Sequence, residues 1–218
     1  MSTHLEIKFE DEICDYLSDH GWIYEKDSAS NYNKKHALYP SDLIAWIKDS
    51  QPDVWKALQT KKGKDPEAAL LQDIRTNLNS AGTLDCLRKG VVILGIRNNL
   101  KLAEFKPALA SNPDILRRYK ANRLRVVRQV KYSIHNENSI DLVLFLNGIP
   151  ISTIELKTDN TQNIEKAVKQ YKNDRNPKPR GQKPEPLLTF SSGALVHFAV
   201  SNREVRMTTK LEGSKTIF

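Results

Sequence analysis

The most constraining stretch of the chain is residues 139–157, SIDLVLFLNGIPISTIELK, in which two apolar runs flank Asn147-Gly148. An Asn-Gly pair between two β-branched runs is a strong signal for a β-hairpin. The first run carries Asp141 near its start, and the second ends in Glu155, Leu156 and Lys157. Because buried strands seldom contain charged residues that lack a partner, three charges at the ends of these strands predict a functional site.

The register of the hairpin decides whether these charges meet. A two-residue Asn147-Gly148 loop pairs Asp141 with Ile154 and puts Glu155 on the opposite face, since side chains alternate along a strand. A three-residue loop, or a bulge elsewhere in either strand, pairs Asp141 with Glu155 and places Lys157 on the same face. Opposed carboxylates repel unless a cation lies between them, so the second register predicts a divalent-metal site beside an ammonium group.

The composition excludes several classes of protein. A chain of 218 residues is long enough for one domain with a substantial core, and we predict a single domain with a mostly helical part (1–120) and a mixed-sheet core (121–218). The sequence has no apolar run of 18 residues, so we expect a cytoplasmic protein with no membrane partner. Cys14 and Cys86 are isolated, which predicts two reduced thiols and no zinc site.

The net charge of +8 is unevenly distributed. Residues 1–60 carry 6 Lys/Arg against 11 Asp/Glu, whereas residues 88–131 carry 12 against 2 and residues 160–218 carry 11 against 5. A nucleic-acid backbone lying over the basic segments, with a metal ion over the acidic hairpin, fits this distribution. A basic surface that faces only solvent fits it as well.

Hydrophobic periodicity predicts helices on both sides of the hairpin and further strands beside it. Apolar residues recur every four positions from Leu5 to Leu17, and Asp65-Pro66 is a typical helix start. The predicted helices cover residues 5–20, 41–51, 54–58, 65–89, 113–119 and 162–173. The predicted strands cover residues 91–105, 123–133, 139–146, 149–157, 187–190, 194–200 and 204–209. This order of elements predicts an α/β fold with a central mixed sheet flanked by helices.

The spacing of Asp141 and the Glu155-x-Lys157 pair resembles the nuclease superfamily named for its Pro-Asp…Asp/Glu-x-Lys motif. Further stretches are similar to the N-terminal nuclease domain of type I restriction enzyme R subunits, over nearly the whole chain. They are the Trp22 region, Leu102–Ala108, Asn147–Pro150, Ile154–Lys157 and Ala167–Gln170.

The resemblance implies a restriction-endonuclease-like core and a DNA endonuclease that depends on Mg²⁺, with Mn²⁺ as a substitute. It implies that Asp141 and Glu155 bind the metal, that the Leu156 carbonyl is a further ligand, and that Lys157 is the catalytic lysine. Such chemistry needs a cation that activates water and stabilises charge on the phosphate.

The resemblance also implies supporting residues on two helices. An acid of the first helix reaches the metal in this family, and Glu10 is our first choice, with Glu6 one turn earlier as the second. The family's Gln-x-x-x-Tyr motif is half present: Gln170 matches, but Asp174 occupies the tyrosine position and the nearest tyrosine is Tyr171.

The implied partners are double-stranded DNA and, through the full-length protein, the modification and specificity subunits of a restriction complex. Six basic residues are our candidates for DNA contact: Arg123, Arg125, Arg128, Lys131, Lys169 and Arg175. No Gly-x-x-x-x-Gly-Lys sequence occurs, so we expect a fragment or truncated product in which ATP would serve only absent motor domains. The alternatives are a non-catalytic DNA-binding or docking module, or a stand-alone repair or resolving nuclease.

Overall fold

A computed structural model describes residues 2–109, 112–158 and 164–218, and within them the chain forms seven α-helices and a five-stranded sheet. The helices are α1 (Ser2–Asp19), α2 (Pro40–Ser50), α3 (Pro52–Lys62), α4 (Pro66–Ala81), α5 (Thr83–Lys89), α6 (Pro113–Lys120) and α7 (Ile164–Asn173). The strands are β1 (Leu124–Lys131), β2 (Ser139–Leu146), β3 (Ile149–Leu156), β4 (Val196–Val200) and β5 (Val205–Thr208). None of the helices in these ranges is long and apolar enough to cross a membrane. The predicted α/β fold with a mixed sheet is confirmed.

The sheet has the order β1-β2-β3-β4-β5, and only the β3–β4 pair is parallel. The parallel pair follows from the crossover through α7, since a parallel neighbour cannot be reached by a tight turn. Leu142 and Leu156 pack in one cluster with residues of α1, whereas Ala199 packs with residues of α7. Because Ala199 is the strand partner of Glu155, the Glu155 side chain lies on the α7 side of the sheet.

A β-bulge sets the register of the hairpin. Leu146 pairs with Ile149, so the loop contains only Asn147 and Gly148. The register then shifts between Leu144 and Phe145, which is the signature of an extra residue in β3. Beyond the bulge Leu142 pairs with Ile154, and this register places Asp141 opposite Glu155. The acid pair therefore arises from the bulge and not from a longer loop.

Four predicted elements differ from the structure. The predicted helix over residues 65–89 is interrupted at Gly82, which has a positive φ and separates α4 from α5. Residues 91–105, predicted as a strand or a hairpin around Asn98-Asn99, form no strand in the described chain and contribute one isolated antiparallel bridge between Val91 and Leu100. Residues 187–190 form turns, in which Leu187 and Leu188 fill the core without joining the sheet and Phe190 is exposed. Pro52 begins α3, an 11-residue helix instead of a single turn, since proline is well suited to the first helical position. The predicted helix start at Gln162 lies outside the described residues.

Gly148→Ala is expected to lower the free energy of unfolding by about 2–5 kcal/mol, from left-handed strain and overpacking together. Gly148 has a φ of +76°, and an added Cβ would lie 2.3 Å from the carbonyl oxygen of Tyr39. Urea denaturation followed by circular dichroism measures the change. Gly181→Ala is the matched control, because Gly181 has a φ of +74° but nothing within 4 Å of the added Cβ. Equal losses in the two variants would contradict the role of the close approach.

A buried histidine makes the stability of the fold depend on pH. His197 on β4 is 1% exposed, its Nδ1 lies 2.7 Å from Thr153 Oγ1, and its ring packs near Tyr171. Burial lowers the pKa of His197 to about 4 from an ordinary 6.5. Between these pH values the unfolded chain binds a proton that folded His197 does not, so the contribution of His197 to the free energy of unfolding falls as the pH drops from 6.5 to 4.

Denaturation of the wild-type protein and of His197→Gln is expected to show that the variant gains about 3 kcal/mol relative to the wild type between pH 6.5 and 4. The comparison isolates His197, because both proteins share His36, whose pKa burial also lowers, and Glu155, whose raised pKa has the opposite effect on stability. The exposed His20 provides the control, and His20→Gln should keep the wild-type slope. A slope that is unchanged in His197→Gln would refute the assignment.

Candidate functional site

The structure brings Asp141 and Glu155 together on adjacent strands. Oδ2 of Asp141 accepts a hydrogen bond of 2.8 Å from the backbone N–H of Leu156. Glu155 is fully buried, and its Oε1 accepts from Nε of Arg175 at 2.7 Å. Its second oxygen, Oε2, is buried without a hydrogen-bond partner among the described residues. The site thus contains a buried carboxylate oxygen with no hydrogen-bond donor among the described residues.

The surroundings of Glu155 strongly disfavour its charged form. Burial and the neighbouring Asp141 raise the pKa of Glu155 to about 8, against the opposing effect of Arg175 and Lys157. A buried unsatisfied oxygen costs about 1–3 kcal/mol, so the fold maintains it at a price in stability. Strongly perturbed carboxyl groups of this kind concentrate at functional sites.

Lys157 lies directly after β3 and is 9% exposed. Its backbone N–H bonds the carbonyl oxygen of Val200 at 2.9 Å, which extends the β3–β4 pairing by one residue. Its Nζ donates to the carbonyl oxygen of Leu156 at 2.8 Å and lies 3.7 Å from Oε2 of Glu6. The ammonium group is therefore beside the carbonyl predicted to bind metal, and Glu6 is the α1 acid that contacts it.

Glu10, one helical turn after Glu6, reaches the acid pair indirectly. It is 3% exposed and accepts from Nε of Arg128 at 3.0 Å and from Nε2 of Gln129 at 2.8 Å. The same Gln129 nitrogen lies 3.3 Å from Oδ1 of Asp141. Burial and Asp141 raise the pKa of Glu10, whereas Arg128 lowers it. Glu10 is thus placed next to Asp141 with Gln129 between them.

Sequence reasoning missed Gln129. The residue lies inside β1 with a φ of +48°, a left-handed conformation that is uncommon for any residue other than glycine. Such conformations persist only where the surrounding structure enforces them, and they cluster at functional sites. Nothing in the alternating basic pattern of β1 marks this position, because the backbone angle has no signature in a strand of ordinary residues.

The donor set at the hairpin fits a divalent cation bound by oxygen. Within the described part of the chain no three His, Cys, Asp or Glu side chains converge as a ligand group. The set that fits is therefore two carboxylates, Asp141 and Glu155, with the Leu156 carbonyl. Oxygen donors of this type suit Mg²⁺ or Mn²⁺. Glu10 is engaged by its own partners behind this set.

The end of α7 positions the arginine that contacts Glu155. The carbonyl oxygen of Gln170, a half-buried residue, accepts from the backbone N–H groups of Asp174 and Arg175 at 2.8 and 3.2 Å. Tyr171 is buried, and its hydroxyl lies 2.8 Å from Oγ1 of Thr153. Burial, followed by the charge of Glu155, raises the pKa of Tyr171 well above its usual range. The tyrosine beside the site is therefore Tyr171, while Asp174 is exposed.

Most of the six basic residues proposed to contact DNA are held in ion pairs. Arg123 and Arg125 both donate to the buried Asp42, and Arg125 itself is only 3% exposed. The partners of the other two arginines are Glu10 and Asp11 for Arg128, and Glu155 for Arg175. Lys131 is exposed and pairs with the exposed Glu137, and Lys169 is exposed on α7. The sequence shows these charges but not their carboxylate partners, which lie 20 to 118 positions away for the arginines.

The fold and the site together define an α/β domain with an acid pair and a lysine at the end of a bulged hairpin. The chain belongs to the family of type I restriction enzyme R protein N termini, whose family model matches residues 5–216. This match confirms the resemblance drawn from the sequence motifs. A comparison with curated proteins gives no significant match.

Proposed function

We propose that this chain is the DNA endonuclease domain of a type I restriction R subunit and that it hydrolyses phosphodiester bonds in double-stranded DNA with Mg²⁺. Mn²⁺ would substitute, and the domain would act in the full-length protein with the modification and specificity subunits. The observation that carries the proposal is the buried Oε2 of Glu155, opposite Asp141, which has no hydrogen-bond partner in the described part of the chain. Family membership supplies the restriction context.

In this proposal Asp141, Glu155 and the Leu156 carbonyl hold the cation. When bound there, a divalent cation supplies the charge that activates a water molecule and stabilises the phosphorane. The protein's own contribution is to fix the donors in place. Leu156 N–H orients Asp141, and Arg175 holds Oε1 of Glu155 so that Oε2 stays available.

Lys157 has two roles in the proposed reaction. Its Nζ, held at the Leu156 carbonyl, orients the attacking water as that water loses its proton and screens the negative charge that develops on the phosphate. Glu6, 3.7 Å from Nζ, keeps the ammonium group in position. Gln129 and Glu10 orient Asp141 from the opposite side.

DNA binding in this proposal uses the exposed lysines and not the buried arginines. Of the six basic residues predicted to contact DNA, Lys131 and Lys169 are exposed. Contacts to the phosphate backbone position a duplex without reading its sequence. Sequence choice would therefore come from another subunit.

Calorimetric titration of Mn²⁺ into the wild-type protein and Asp141→Asn tests the metal site directly, with and without a short duplex. We expect one binding event in the wild type and at least tenfold weaker binding in the variant, because asparagine keeps the shape but loses the charge. Asp174→Asn, an exposed residue at the end of α7, is the matched control and should bind as the wild type does. Circular dichroism establishes that each variant is folded.

Equal binding to the wild type and Asp141→Asn, or none to either folded protein, would remove the metal site from the proposal. The second candidate, a non-catalytic DNA-binding module, would then be favoured. One observation supports it: Arg175 already neutralises part of the charge of Glu155. Such a module would keep duplex binding when Asp141 or Glu155 is replaced.

A further inference from the structure

A second concave site lies away from the hairpin carboxylates. The cavity has a volume of about 720 Å³, within the range of about 300–1,000 Å³ that is typical of small-molecule sites. It lies between α4, the segment 34–36 and the loop 183–192, and none of its lining residues belongs to the candidate nuclease site. The described residues that line it are basic, amide, hydroxyl or apolar, and none is acidic.

A buried arginine without a counter-charge forms part of this cavity. Arg75 of α4 is 5% exposed, and its two terminal nitrogens donate to the carbonyl oxygens of His36 and Ser192 at 3.2 and 2.5 Å. Its Nε has no partner among the described residues. Burial lowers the pKa of Arg75 to about 10, the opposite of the shift that a neighbouring carboxylate produces. A buried guanidinium is normally paired with a carboxylate or a phosphate, and here only neutral oxygens are present.

Two exposed lysines add charge at the rim. No carboxylate of the described chain lies within ion-pair distance of Lys35 or Lys183, whereas Lys34 is 3.4 Å from Glu137. Glu185 is the acid nearest in sequence to Lys183, but its carboxylate accepts from Ser133 and the backbone N–H of Ile134.

The carboxylate of Glu185 therefore faces the turn at Ser133 and does not line the cavity. Arg75, Lys35 and Lys183 together carry about three positive charges that no carboxylate of the described chain neutralises, which is more than a single carboxylate ligand would neutralise.

We propose that this cavity binds a phosphate-bearing small molecule of about mononucleotide size. Its phosphate groups lie among Arg75, Lys35 and Lys183, where guanidinium and ammonium groups match phosphate oxygens. Its less polar part packs against the wall formed by Ile134, Pro184 and Pro186. This proposal does not depend on the nuclease assignment, since it uses none of the same residues.

Calorimetry of the full chain with ADP and with inorganic pyrophosphate, in buffer with EDTA, tests the proposal. We expect one site for ADP in the wild-type protein, and an increase in Kd of at least tenfold in Lys35→Gln/Lys183→Gln. Both lysines are exposed, so this double variant should fold, and Arg75 is left intact because it bonds two carbonyls. Lys56→Gln/Lys64→Gln makes the same charge change outside the cavity, and its Kd should stay within twofold of wild type.

Pyrophosphate should compete with ADP but bind more weakly, because it lacks a part that can pack against the apolar wall. Three results would overturn the proposal. The first is that neither probe binds the wild type, and the second is that both double variants weaken binding equally. The third is that Lys35→Gln/Lys183→Gln binds a short duplex less tightly than the wild type but binds both small probes equally well. That result would assign the two lysines to DNA binding.

Discussion

Lys157→Met is expected to slow Mg²⁺-dependent DNA cleavage by about 10²- to 10⁴-fold, the usual contribution of a positioned proton-transfer group. Methionine has a similar length and fills the same largely buried space, but it removes the ammonium group beside the Leu156 carbonyl. The rate of supercoiled plasmid cleavage measures the effect, with the substitution placed in the full-length R subunit together with its modification and specificity subunits.

Two comparisons make the Lys157→Met result specific. Lys56→Met changes an exposed lysine on α3, outside the candidate site, and should leave the cleavage rate unchanged. Mn²⁺ binding by Lys157→Met should persist, because Asp141 and Glu155 remain. A wild-type cleavage rate in Lys157→Met would exclude the lysine from the reaction.

Asp42→Ala is expected to cost about 3 kcal/mol in the free energy of unfolding, since among the described carboxylates it leaves Arg123 with none and the buried Arg125 with only the exposed Glu25. Asp42 is 1% exposed on α2, and its two carboxylate oxygens accept from three guanidinium nitrogens of Arg123 and Arg125 on the sheet side. The substitution removes the only acid that meets both arginines among the described residues. Denaturation by urea, followed by circular dichroism, measures the loss.

Asp49→Ala provides the control for Asp42→Ala on the same helix. Asp49 is exposed and its substitution should change the free energy of unfolding by less than about 0.5 kcal/mol. A loss below about 1 kcal/mol for Asp42→Ala would show that water or another acid replaces it.

Local sequence determined much of the fold because the determining forces are local. The Asn147-Gly148 pair predicts the two-residue turn, since both residues tolerate positive φ. Asp65 and Pro66 predict the start of α4, where the Asp65 side chain accepts from the backbone N–H of Ala68. Apolar spacing predicts α1 and α7, because a helix must bury one face.

Only the tertiary structure decided how the charges are used. The bulge in β3 aligns Asp141 with Glu155, and it depends on packing along the sheet instead of on any residue preference. Gln129 enters the site through a backbone angle that its neighbours impose.

The sequence thus predicted the pairing of Asp141 with Glu155, the nearby Lys157 and the family. Tertiary structure alone decided that Arg123 and Arg125 meet at Asp42, and that Arg75 bonds two carbonyl oxygens and no carboxylate of the described chain. The physical reason is that electrostatic pairing depends on distances between residues far apart in the chain, which local patterns do not specify.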